Sequence, residues 1–250
     1  MSQLALKGVT VNVPTDDGVK TLLDNVNLTL NSGDFVSVVG TNGAGKSTLF
    51  NTIAGNLPVA AGSIMLGGHD ITTFSPEKRA RYIARVFQDP KMGTAPRMTV
   101  AENLALASHR GQPLRFKLRR LNAQKPDFLT LTKQTGNGLD AALDRETASL
   151  SGGQRQALSL LMASLNQPDL LLLDEHTAAL DPHTSAAIMQ LTATMMTERH
   201  LTGLMITHHM ADALAYGNRL LVLDHGQIVA DYDAQQKARL QREDLLAYFA

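Results

Sequence analysis

The chain contains no cysteine, carries no formal net charge and has no long hydrophobic run. Without cysteine there is no disulfide and no thiolate metal site, and the cytosol is the simplest expected compartment. A net charge of +0 argues against a general nucleic-acid binder, which would be basic. The longest apolar runs, such as Leu170–Leu173 and Leu220–Leu223, fall far short of the ~18–20 residues that a membrane span needs. Any membrane role is therefore expected to come through a partner. Met1-Ser2-Gln3-Leu4 lacks the basic start and apolar core of a secretory leader. What remains is 250 residues, 44% of them hydrophobic. That suits one large α/β domain, or a core with one sizeable insertion. There is no internal repeat and no low-complexity segment.

The most informative stretch is Gly40-Thr41-Asn42-Gly43-Ala44-Gly45-Lys46-Ser47-Thr48. The run before it, Phe35 to Val39, reads as a buried strand, and Leu49 to Ala54 continues as a helix. The block fits G-x-x-x-x-G-K-[ST] in the strand–loop–helix setting that the motif requires. Three glycines let backbone N–H groups point inward and form a concave anion site, and the helix N-terminus adds its positive end. Lys46 supplies a mobile charge for β/γ-phosphates, and the Ser47 hydroxyl is a ligand for Mg²⁺. The block points to a nucleoside triphosphate site, against the bland reading of a chance glycine loop.

Elsewhere, periodicity predicts strands over 4–13 and 22–30, joined too closely for a crossover and so antiparallel. Further strands are expected at 62–66, 82–87, 170–173 and 204–206, with a hairpin of 220–223 and 228–229 around His225-Gly226. Gly67-Gly68-His69-Asp70 reads as a turn. Ser75-Pro76 reads as the start of a helix. Thr99–Glu102 and Ser151–Gln154 fit capping boxes, Asp181-Pro182 opens another helix, and one charged helix is expected over 234–248. From Gln88 to about 165 the pattern is helical. Within it, residues 110–125 carry Arg110, Arg115, Lys117, Arg119, Arg120 and Lys125 without an acid, with Leu114, Leu118 and Leu121 at helical spacing. This predicts an amphipathic basic helix, either a solvated face or a contact surface. Strands alternating with helices predict a mostly parallel sheet covered on both faces, with ligands at the C-terminal strand ends. Gly40, Gln88, Asp174 and His208 each follow a predicted strand and are expected to share one crevice.

Those residues suit phosphoryl chemistry, in which positioning and charge stabilisation carry most of the rate. Asp174 is placed to hold Mg²⁺ opposite Ser47, or else is an ordinary turn or cap aspartate. Glu175 is placed to polarise a water aimed at the γ-phosphate, or else is a surface acid. Gln88 offers an oxygen to the metal and an amide to the water. His208 is suited to donate to the γ-phosphate, with a structural histidine as the alternative. His209 reads as a helix-start residue.

Between the phosphate loop and the Leu170–Asp174 strand stands Leu150-Ser151-Gly152-Gly153-Gln154. With this pentapeptide, and with Gln88, Asp174-Glu175, Ala179-Leu180-Asp181 and His208 in order around it, the chain resembles the nucleotide-binding subunits of ABC transporters over nearly its whole length. The resemblance implies a P-loop NTPase (RecA-like) α/β core with a mostly parallel sheet and an N-terminal antiparallel β part. It implies core segments 1–88 and 166–250 and an inserted helical subdomain over 89–165. ATP and Mg²⁺ are the implied cofactors, with Ser47, Gln88 and Asp174 around the metal and Glu175, His208 and Gln88 in the hydrolytic role. It further implies a head-to-tail dimer with a second copy or a paralogous ATPase subunit. Ser151, Gly152, Gly153 and Gln154 of one subunit would then meet the ATP held at Lys46 of the other, near Asp181. An integral membrane permease and an extracytoplasmic solute-binding protein are the other implied partners, with no nucleic acid. The implied place is the cytoplasmic face of the cell membrane, peripheral through the permease.

Two departures matter. The aromatic residue that such proteins stack on adenine falls at Val13, and the proline that commonly follows the catalytic glutamate is His176. The segments Val86–Pro90 and Gly93–Pro96 resemble a bacterial subgroup of importers linked to amino-acid-like solutes. Import of such a solute is the expected function. An exporter ATPase and a soluble non-transport ABC ATPase are the alternatives, and the pentapeptide argues against a P-loop kinase.

Overall fold

The computed structural model describes residues 2–16, 18–112 and 121–249. In chain order the elements are β1 (Ser2–Thr15), β2 (Gly18–Asn31), β3 (Phe35–Val39), α1 (Lys46–Ala54), β4 (Ala61–Leu66), β5 (His69–Asp70), α2 (Pro76–Arg79) and β6 (Ile83–Val86). There follow α3 (Val100–Ser108), α4 (Leu121–Lys133), α5 (Gly152–Ser164), β7 (Leu170–Asp174), α6 (Pro182–Glu198), β8 (Gly203–Ile206), α7 (Met210–Ala215), β9 (Arg219–Asp224), β10 (Gln227–Tyr232), α8 (Ala234–Lys237) and α9 (Arg242–Leu246). Short 3-10 turns lie at Pro90–Gly93, Asp140–Ala142 and Thr147–Ser149. From Pro90 to Ser164 all regular elements among the described residues are helical.

The described strands form two sheets. β2-β1-β4-β5 is antiparallel throughout. In the order β10-β9-β3-β8-β7-β6, every pair is parallel except the terminal β9–β10 hairpin. The continuous apolar run of β7 explains why this sheet is covered on both faces. Leu170 and Leu172 pack with Leu4, Leu6, Val26, Leu28 and the α1 residues Leu49, Phe50 and Ile53. Leu171 and Leu173 face the other way, onto Val100 and Leu104 of α3, Leu158 and Leu161 of α5 and Ile188 of α6. Period-2 alternation in one strand thus ties both layers to the sheet.

Arg79, 2% exposed, fixes the far end of α1. Its guanidinium donates to the Thr52 and Ile53 carbonyls at 2.7 and 2.8 Å, to Thr72 O at 2.8 Å and to Phe74 O at 3.1 Å. A buried charge is tolerated when its donors are satisfied, and a cation suits the C-terminal end of a helix.

Three local expectations change. His69–Asp70 pairs with Met65 and Leu66 as a short strand, so the turn narrows to Gly67-Gly68. The expected helix over 234–248 is two helices. The buried Lys237 turns its ammonium to the carbonyls of Tyr216 and Gly217, and Gln241 opens a fresh helix with a capping bond to Asp244 at 2.8 Å. The basic stretch at 110–125 lies largely outside the described residues. Around it, 109–112 is turn and bend and α4 begins at Leu121. Arg110 is no solvated charge, because it donates to Ala163 O at the end of α5 at 3.0 Å.

Candidate functional site

Val39 ends β3, and the chain curls through Gly40–Gly45 into α1. Gly45 has φ 105°, a conformation that side chains disfavour, and a Cβ there would stand 3.2 Å from Leu22 O. The first turn of α1 holds no acidic side chain, so its N–H groups and dipole are left for an anion. Lys46 is buried, and its Nζ donates to Gly40 O and Thr41 O, both at 2.8 Å. Burial lowers its pKa, and the nearby Glu175 carboxylate opposes that shift. The tip of β7 and the phosphate loop therefore lie within electrostatic reach of each other.

At that tip, Asp174 Oδ2 accepts from Arg85 at 2.5 Å, and the same guanidinium donates to Asn51 Oδ1 on α1 at 2.7 Å. Glu175 has φ 45°, held by its N–H on Ile206 O at 3.1 Å and by Ala178 N on its own carbonyl at 3.0 Å. Its Oε1 accepts from His208 Nε2 at 2.6 Å. A carboxylate fixed by an imidazole, beside a lysine-lined phosphate loop, has the reach of a general base and its orienter. Behind it His176 is buried, and Thr192 Oγ1 lies 3.0 Å from its Nε2. Thr192 spends its own hydrogen on Ile188 O, so His176 Nε2 is the donor. Burial pushes the His176 pKa down to about 4.

Ser151 N-caps α5 with both halves of a capping box, the partner being Gln154. A Cβ on Gly153 would meet Thr184 Cγ2 at 2.4 Å, and one on Gly152 would stand 3.4 Å from Leu180 Cδ2. Glycine at 153 thus lets the start of α5 close onto the start of α6, where Asp181 caps through Thr184 N at 3.0 Å. Gln154 also donates to Asn137 O at 3.1 Å. Ser151 and Gly152 remain exposed.

Glu175 and His208 come together at the ends of adjacent strands, where the sequence predicts only that Asp174 and His208 share a crevice, and His209 occupies the N-cap position of α7 without a side-chain capping bond. Gln88 is exposed just past β6. Val13 is half-buried on β1 opposite Lys20, where β2 goes on to the Leu22 carbonyl beside Gly45. Arg85 was not foreseen. The available signal is a charged residue inside a strand that otherwise reads as buried.

The donors suit a divalent cation shared with phosphates. The Ser47 hydroxyl is exposed, one Asp174 oxygen is taken by Arg85, and no group of three or more His, Asp or Glu able to hold a metal exists among the described residues. Magnesium in phosphoryl-transfer sites is held in this way, by one or two protein oxygens plus substrate phosphates. When bound there, such an ion would neutralise phosphate charge.

Residues 23–178 match the ABC transporter family. The chain is 42% identical over 98% of both chains to a tyrosine transport ATP-binding protein of Clostridioides difficile. It is 34% identical over 86% of its length to the spermidine/putrescine import ATP-binding protein PotA of Haemophilus influenzae, of which it spans 54%. A dimeric ATP-binding cassette, in a post-hydrolysis state with ADP and Pi, superposes with a TM-score of 0.78 at 27% identity, over 92% of this chain and 98% of that one. The chain belongs to the ABC transporter family, as an ATP-binding subunit whose ATP hydrolysis is coupled to transport.

Proposed function

We propose that this subunit powers uptake of an amino-acid-like solute through a separate integral membrane permease, fed by an extracytoplasmic solute-binding protein. The carrying observation is the 42% identity over 98% of both chains to a tyrosine transport ATP-binding protein. No helix among the described residues is long and apolar enough to cross a membrane, which suits a subunit that sits on the cytoplasmic face through a permease. Residues 89–165 are the helical subdomain that would receive it, inserted between the core segments 1–88 and 166–250.

Two subunits close head to tail around two ATP. The exposed Ser151 and Gly152 at the start of α5 support this: the Ser151 N–H is committed to Gln154 in the capping box, which leaves the Gly152 N–H and the Ser151 hydroxyl hydrogen to meet the γ-phosphate of the opposite subunit. The phosphate loop Gly40–Thr48 cradles the phosphates, with Lys46 on the β/γ pair. Ser47 and Asp174 hold Mg²⁺ with Gln88 beside it, Glu175 polarises the water, and His208 orients Glu175 and senses the γ-phosphate. Val13 lies at the adenine.

The test is reconstitution of the chain with its permease and binding protein in liposomes. ATP-driven accumulation of radiolabelled tyrosine, abolished by Glu175→Gln, is the expected outcome. Efflux instead of uptake, or ATP-driven flux of other solutes only, would overturn the reading.

A further inference from the structure

On β6, Ile83 and Arg85 fall on one face by period-2 alternation, while Ala84 and Val86 face the α3–α5 layer, and Phe87 follows just past the strand end. Ile83 packs in the cluster of α1 with Leu170 and Leu172. Two residues on, that same face carries a guanidinium with only 15% of its side chain exposed, between an apolar strand and the phosphate-loop helix. A charge there is costly, and its partners are specific. One arm reaches Asp174 Oδ2 at 2.5 Å, the other reaches Asn51 Oδ1 at 2.7 Å, and the guanidinium carbon lies 4.9 Å from the Phe87 ring centroid. Nε is buried and makes no hydrogen bond, so the side chain is set by its two outer nitrogens and the ring.

We propose that Arg85 is a positioning residue that sets how strongly Asp174 competes for the divalent cation. The proposal rests on Asp174 being a cation ligand. One arm of the guanidinium holds Oδ2 while the other is anchored on Asn51, which restrains the direction of Oδ1, so the carboxylate presents one oxygen in one orientation. Its positive charge beside that carboxylate also weakens the carboxylate's attraction for a second cation. Arg85 thereby exchanges metal affinity for a fixed ligand geometry. Asn51 ties this geometry to the helix that follows the phosphate loop. Phe87 ties it to the strand end that leads into Gln88 and the docking segment beyond.

The experiment uses the full chain with Glu175→Gln, so that nucleotide is not consumed, and Mn²⁺ as the probe. Free Mn²⁺ is read by electron paramagnetic resonance at saturating ATP. Arg85→Met should lower the Mn²⁺ concentration for half-saturation by about threefold to tenfold, because a neighbouring positive charge is gone. ATP affinity in EDTA should stay within about twofold, because Lys46 still meets the phosphates. In the chain with Glu175 restored, Arg85→Met should lower kcat by about tenfold, through a carboxylate free to rotate. Arg85→Lys, which keeps the charge and loses the fork, should bind Mn²⁺ like the parent and still lose turnover. Arg85→Gln is the second neutral variant should Arg85→Met fail to fold, and the same tighter Mn²⁺ binding is expected of it. Parent-like Mn²⁺ binding in the neutral variants, with Asp174→Asn weakened, would overturn the role of Arg85 alone. Unchanged Mn²⁺ binding in Asp174→Asn would overturn the metal assignment and this proposal together.

Discussion

His208 Nε2 stands 2.6 Å from Glu175 Oε1, joining the end of β8 to the turn after β7. The carboxylate can only accept, so the imidazole donates. The other bonds that hold Glu175 are to its backbone, its N–H on Ile206 O and Ala178 N on its carbonyl. The histidine therefore decides where the carboxylate points.

Glu175→Gln should keep ATP binding and lower turnover by about 10²–10⁴-fold, the usual range for removal of a general base. Nucleotide affinity by equilibrium dialysis and single-turnover hydrolysis check this together. The variant should also elute as a dimer with ATP. His208→Ala should lower kcat with little change in ATP affinity. Normal turnover in Glu175→Gln would remove Glu175 from the mechanism.

Lys46 and Val13 separate phosphate from base. Lys46 is the ammonium of the phosphate loop, whereas Val13 is a half-buried apolar contact on β1. Lys46→Ala should weaken ATP binding far more than Val13→Ala. Val13→Tyr should tighten it by roughly 1 kcal/mol through stacking on adenine. A titration with a fluorescent ATP analogue decides the matter, and an unchanged affinity would move the adenine site elsewhere.

His176 makes the fold acid-sensitive. Its pKa is pushed down to about 4 by burial, below the ~6.5 of an exposed histidine. Between those values the unfolded chain binds the proton and the folded chain does not. Stability is therefore full above the unfolded value and falls as pH drops toward 4, by roughly 1–3 kcal/mol for this group. His176→Gln removes the titration while an amide N–H can still reach Thr192. Denaturant midpoints at pH 7 and pH 5 should differ less in the variant than in the parent. Equal differences would show that other groups carry the acid response.

The phosphate loop, the capping boxes at Thr99 and Ser151 and the Leu170–Leu173 strand were legible because each is a local pattern with one physical reading. Both capping boxes form with both halves present. Less legible were features set by distant partners. Lys237, the last residue of α8, bonds to the carbonyls of Tyr216 and Gly217, which no pattern within 234–248 reveals. Arg85 interrupts a strand that reads as apolar, and only β7 and α1 supply its partners. That Asp174-Glu175 and His208 each follow a strand is legible in the sequence, but the bond between Glu175 and His208 is not, because it depends on the parallel register of β7 and β8.

The permease contact is expected on the segment that follows Gln88. Met92 is 69% exposed on the Pro90–Gly93 turn, an adaptable apolar side chain offered to solvent. The chain beyond it is pinned by hydrogen bonds to α3 and to Thr147. Buried Asn103 on α3 accepts from Ala95 N at 2.8 Å and donates to the carbonyls of Ala95, Met98 and Thr99 at 3.0–3.2 Å. Thr147 adds bonds to Met98 O and Ala95 O at 3.0 and 2.9 Å. Met98 itself is half-buried, so a charge there would disturb the scaffold as well as the surface. Met92→Glu is therefore the cleaner test. It should leave the melting temperature and the ATPase rate of the isolated chain near the parent values, since the Met92 side chain is largely exposed. Stimulation of that rate by the reconstituted permease should fall by about tenfold or more, as expected when a charge enters a central apolar contact. Asn103→Ala should also lower stimulation, and with it the melting temperature, because several carbonyls lose their donor. Full stimulation and transport with Met92→Glu would show that the permease docks elsewhere. Leu106, 55% exposed on α3, would then be the next side chain to charge.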